Sequence, residues 1–135
     1  KNKHVTIIND SKATSFASSL GILKTSPNIH WLVGGLPKKG DKFVLPKKHF
    51  SNIKAYIFGK NRKFFNKKLK KKIEYENFHK LKDALKKVFI IIKKNKLSNQ
   101  TILFSPSAAS FDSFKNFEDR GHYFDKLIKK HLNEF

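Results

Sequence analysis

Apolar residues in this chain follow two rhythms. Short runs at Val5–Ile8, Ile29–Val33, Ile53–Phe58 and Thr101–Phe104 read as buried strands, and Ile73-Glu74-Tyr75 as a shorter one. Between them the spacing becomes helical. Phe78, Leu81, Leu85, Val88, Phe89 and Ile92 recur every three or four residues and predict a helix over Phe78–Lys94. Ala13–Leu23, Arg62–Lys72 and Asp119–Leu132 carry the same signature, with Phe64, Phe65 and Leu69 facing inward in the second and Phe124, Leu127, Ile128 and His131 in the third. Residues 43–52 hold a short helix. Thr25-Ser26-Pro27-Asn28, Gly34-Gly35 and Gly59 break the pattern where turns belong. Strands alternating with helices predict a three-layer, Rossmann-like α/β domain with a mostly parallel sheet of about six strands flanked by helices.

Composition narrows this picture. The chain has 135 residues, 39% of them hydrophobic and 14 of them Phe, sufficient for one globular domain spanning residues 1–135. No apolar run approaches the ~20 residues needed to cross a bilayer, and no membrane partner is expected. The absence of Cys excludes disulfides and thiolate metal sites and fits a reducing compartment. There is no Met even at position 1, which suggests a piece of a longer polypeptide.

The formal charge of +20 raises the question of nucleic acid. Lys and Arg together number 30, but only Arg62 and Arg120 are arginine, the side chain best suited to bidentate reading of bases and phosphates. The joint excess of Lys, Asn, Ile and Phe is what an AT-rich genome produces. A Lys-rich nucleic-acid module is therefore a minor alternative. The six histidines are scattered without metal-ligand spacing.

In parallel sheets ligands bind beyond the carboxyl ends of the strands. Three loops of unusual composition belong there: Asn9–Thr14, Gly34–Asp41 and Ser105–Phe117. In the first, Asp10 or Ser11 is placed to cap the following helix, whose amides could equally receive an anion. The second is Gly-rich and basic but is not a phosphate loop, because Gly40 is followed by Asp41-Lys42. It reads either as a surface turn or as a carrier of an ammonium, Lys38 or Lys39, toward a carboxylate. The third combines small residues with hydroxyl and amide donors. Its Ser110 lacks the Gly-x-Ser-x-Gly surroundings of a nucleophile.

NDSKAT after the first strand, GGxxK after the second and SPSAASFDSFKNFEDRG after the last closely resemble the C-terminal domain of the Mur ligases, most specifically the D-glutamate-adding branch. The likeness runs through essentially the whole chain in the same order. It implies a D-glutamate site formed by Lys12, Thr14, Lys38, Ser110, the Phe111 amide and Phe117, with Asp10 near the nucleotide ribose. It also implies ATP and Mg2+ in the intact enzyme, with the metal ligands and the phosphate loop outside this chain. The acceptor substrate would be UDP-N-acetylmuramoyl-L-alanine, and the setting a monomeric enzyme of peptidoglycan synthesis in the bacterial cytoplasm. Such a domain would close over ATP and have no catalytic residue or activity alone. Sister Mur ligases and folylpolyglutamate synthases are the alternatives within the same architecture. Ser15, Ser107 and Ala108 depart from the branch's usual Asn and Ala-Cys by small-for-small changes.

Overall fold

A computed structural model describes residues 4–109 and 114–134. Strands β1 (His4–Asn9), β2 (Ile29–Gly34), β3 (Ile53–Phe58), β4 (Glu74–Phe78) and β5 (Asn99–Phe104) alternate with helices α1 (Phe16–Thr25), α2 (Arg62–Leu69), α3 (Leu81–Lys94) and α4 (Phe117–Glu134). A short 3-10 helix, Lys47–Asn52, precedes β3. The sheet order is β1-β5-β2-β3-β4, and every pairing is parallel. The sheet thus has five strands among the described residues, rather than about six. Every predicted strand segment is present.

Period-two alternation sends neighbouring residues to opposite faces of the sheet. On one face Trp31, Val33, Ala55, Ile57 and Leu103 pack against Phe16 and Leu23 of α1 and Phe65 and Leu69 of α2. On the other, Leu32, Tyr56, Phe58, Ile102 and Phe104 meet Leu85, Val88 and Ile92 of α3 and Phe124 of α4. Both faces are covered, so β2 is buried throughout. Trp31 anchors the first layer, its ring stacked on Phe43 at 5.8 Å and edge-on to Phe16 at 6.4 Å. Phe104 and Phe124 stack at 4.5 Å in the second.

Several boundaries move from their expected positions, three of them for clear local reasons. Phe78 ends β4 and stacks on Tyr56, and α3 begins at Leu81; the apolar spacing continued across a strand-to-helix junction. Helix α1 begins at Phe16 rather than Ala13, because Ser15 is its N-cap and accepts from the Ser18 amide at 3.4 Å. Helix α2 stops at Leu69, short of Lys72. Lys71 takes a left-handed backbone conformation (φ 62°) and turns the chain so that Ile73 is buried just before β4.

Candidate functional site

The carboxyl ends of β1, β5 and β2 adjoin, so their loops share one rim of the sheet. Each loop is fastened to the next by its own polar groups. Asp10, just past β1, donates its amide to the Phe104 carbonyl at 2.7 Å and receives a hydrogen bond on Oδ2 from the Ser105 hydroxyl at 3.0 Å. Asp10 is therefore not the helix cap, and neither is Ser11. The Ser11 hydroxyl instead donates to the Phe117 carbonyl at 2.6 Å, across the chain to the start of α4.

The second loop joins in two ways. Gly34 donates to the Pro106 carbonyl at 3.1 Å, and Leu36 and Ala109 exchange two backbone bonds of 2.8 Å. Both turn positions require glycine. A Cβ on Gly34 would lie 2.2 Å from the Phe58 carbonyl oxygen, and one on Gly35 (φ 124°) would lie 2.7 Å from the Ala109 oxygen. Further along, Lys38–Asp41 forms a turn closed by the Asp41 amide on the Lys38 carbonyl at 3.0 Å, with Gly40 at φ 78°. The Asp41 carboxylate then accepts the Phe16 amide at 2.8 Å. The acid that rules out a phosphate loop thus satisfies one free donor of α1.

Arg120 was singled out in the sequence only as one of two arginines, yet it is the centre of the rim. It is 1% exposed. Its Nε donates to the Ser11 hydroxyl at 3.1 Å, one terminal nitrogen to the Ala108 carbonyl at 2.8 Å and the other to the Ser11 carbonyl. One guanidinium in α4 therefore fixes the first loop against the third. Asn9 adds a second tie, donating to the Gly121 carbonyl at 3.0 Å and to Asp125 at 2.9 Å. Beneath Asp10, the buried hydroxyls of Ser19, Ser105 and Ser107 form a cluster, and the Trp31 indole donates to the Ser105 carbonyl at 2.7 Å. The signal for Arg120 was its place in the FEDRG run; nothing local marked Ser19.

Against this frame the expected ligand residues can be located. Lys12 and Thr14 are exposed on the first loop, and Lys38 and Lys39 are exposed on the second. Phe117, 41% exposed, opens α4 and is held to the rim through its carbonyl. Ser110 and Phe111 lie outside the described residues. Asp10 is half-buried, with one carboxylate oxygen engaged by Ser105. A separate cavity of about 270 Å³ lies beside the rim, lined by Gly35, Phe58, His79, Phe114, Arg120 and Tyr123 among others. Neither Lys12, Thr14 nor Lys38 lines it. Among the described residues, no three His, Asp or Glu gather closely enough to hold a metal ion.

A parallel three-layer domain whose strand-end loops are tied into one basic, hydroxyl-bearing rim is the architecture expected of a ligand-binding α/β domain. No family model matches the chain. Curated proteins do match it over nearly its full length. The UDP-N-acetylmuramoylalanine–D-glutamate ligase of Rickettsia felis is 39% identical over 131 residues, 93% of this chain. That of Rickettsia prowazekii is 40% identical over 133 residues, and that of a Wolbachia from Brugia malayi 38% over 136. Over nearly its whole length the chain is thus similar to part of the Mur ligases, consistent with their C-terminal domain. It spans 27–29% of the length of these relatives, each a UDP-N-acetylmuramoylalanine–D-glutamate ligase.

Proposed function

We propose that this chain is the amino-acid-binding domain of a ligase that adds D-glutamate to UDP-N-acetylmuramoyl-L-alanine with ATP. The observation that carries the reading is the single rim made from three loops by Arg120, Asp10–Ser105 and Leu36–Ala109. That rim presents Lys12, Thr14 and Lys38 outward. A dicarboxylate calls for ammonium, hydroxyl and amide donors fixed relative to one another. Lys38 and Lys12 supply ammonium groups and Thr14 a hydroxyl, and the family resemblance adds Ser110, the Phe111 amide and Phe117 to the same site.

Asp10 is the residue suited to the nucleotide. A carboxylate already steadied by Ser105 on one oxygen can accept a ribose hydroxyl on the other. ATP supplies the driving force for amide-bond formation when bound, with Mg2+ held by residues outside this chain. The domain orients the amino acid and excludes water on closure, a contribution of position rather than of a reacting side chain. Alone it does not catalyse, and its setting is the bacterial cytoplasm.

Titration of the 15N-labelled chain with D-glutamate at millimolar concentration tests the reading. Shifts centred on Thr14, Lys38 and the start of α4 are expected. Lys38→Ala should weaken the response about tenfold, the order of one charge-assisted hydrogen bond. Shifts confined to the amino ends of the strands, or an unchanged response in the variant, would sink the site as drawn.

A further inference from the structure

A second surface runs from the end of α2 to the amino ends of β3 and β4; only the start of α2 touches the rim, where Asn61 donates to the Gly35 carbonyl. Every ionisable residue from Lys60 to Lys72 is Lys or Arg. Helix α2 buries Phe65 and Leu69 and leaves Lys63 and Lys67 exposed, and Lys70, Lys71 and Lys72 follow exposed at its end. Lys47 and Lys48 of the 3-10 helix join Lys71 and Lys72 around an open groove at the amino ends of β3 and β4. The described ion pairs are those of Lys54 with Glu74 and Glu76, and neither involves these lysines. Glu74 is the single acid lining the groove.

The chemistry of the face distinguishes between polyanions. Single-stranded nucleic acid needs exposed aromatic rings on which bases can stack. Here few rings are offered: Phe43 is buried beneath Lys72, 5.9 Å from its ammonium, Phe64 packs against the core, and one half-buried ring, Phe50, lines the groove. Sequence-specific duplex reading favours Arg, and the one arginine, Arg62, is committed to the Gly59 and Phe78 carbonyls. What projects instead is Val44, 64% exposed between the buried Phe43 and Leu45. Flexible point charges suit a fluid anionic surface that needs no register.

We propose that the face formed by α2, the lysines after it and the 3-10 helix docks on anionic phospholipid headgroups of a bilayer surface. No helix among the described residues is long and apolar enough to cross a membrane, so the contact is peripheral. Because the groove itself lies at the amino ends of β3 and β4, docking there leaves the three-loop rim open to solvent. The proposal does not depend on the ligand assigned to the rim.

Co-sedimentation with phosphatidylcholine vesicles, with and without about 30% phosphatidylglycerol, at ~0.1 M salt tests this. Binding should require the anionic lipid. Reversing Lys47, Lys48, Lys67 and Lys70 to Glu should weaken it at least about a hundredfold, since each Lys near such a surface contributes several-fold. Reversing Lys82, Lys86, Lys126 and Lys130 on the α3–α4 side matches the change in net charge and should cost less than about tenfold. Equal losses in the two variants would overturn the proposal, because net charge and not this face would then govern binding. So would absence of binding, or displacement of the vesicles by equimolar oligo-dT, which would assign the face to nucleic acid.

Discussion

At the carboxyl end of the sheet, Arg120 gathers Ser11 and Ala108 from two loops that lie far apart in the chain. At the amino end, His30 is also buried, and its own two partners are side chains on neighbouring strands. Its Nε2 faces the Gln100 side-chain oxygen and its Nδ1 the Tyr56 hydroxyl, both at 2.8 Å. Gln100 in turn donates to Asn95 and to the Leu97 carbonyl. A carbonyl can only accept, so the Gln100 amide nitrogen points at Leu97 and its oxygen at His30. Nε2 therefore carries the proton, and Nδ1 accepts from Tyr56. The first network is built on a permanent charge and holds loops that face solvent. The second is neutral, closed on itself and holds strand starts. The lesson is that buried polarity serves two ends: at one it positions exposed chemistry, at the other it aligns strands.

The widest test of that contrast is Arg120→Met. It leaves the Ser11 and Ala108 carbonyls unpaired in a dry site and should cost about 4 kcal/mol in chemical denaturation. It should also broaden amide signals of both loops. Sharp, unshifted loop signals would mean that the loops hold themselves. Next is Gly34→Ala, whose new Cβ must displace the Phe58 carbonyl from 2.2 Å. A loss of about 3 kcal/mol is expected, with the strand ends shifted.

The amino-end network should respond to pH instead. Burial lowers the His30 pKa from 6.5; the Gln100 hydrogen bond works the other way, and nearby Lys54 lowers it further. Burial likewise pushes the Tyr56 phenol upward, aided by Glu76 and Glu74. For a histidine kept neutral in the fold, the stabilising contribution is fully present above pH 6.5 and is lost as pH falls through the lowered native value. His30→Phe should cost about 1–2 kcal/mol at neutral pH and remove that acid slope. A slope unchanged in the variant would assign it to other groups. The smallest effect serves as a control. A methyl on Gly21 in α1 meets nothing within 4 Å, so Gly21→Ala should stabilise by about 0.5–1 kcal/mol without moving either network.

Much of this was legible before any fold was known. Apolar spacing placed all five strands, and Ile53–Phe58 matches its residue bounds. It also foretold that the first, second and last strand-end loops would meet. At one misplaced edge two local patterns overlapped: Phe78 satisfies the helical spacing of α3 yet completes β4. The motifs NDSKAT and SFDSFKNFEDRG carried the family, which the relatives bear out.

The sequence by itself determined the kinds of elements, the order of the loops and the residues available to them, because periodicity and turn chemistry act over a few neighbouring positions. Only the tertiary structure decided how those residues are spent. It inserts β5 between β1 and β2, and so sets Ser105 against Asp10. It turns Asp41 onto the amide of Phe16 and buries Arg120 against Ser11. Each of these pairs joins residues remote in the chain, and a polar group's partner is selected by which loops the sheet order brings together rather than by its sequence neighbours.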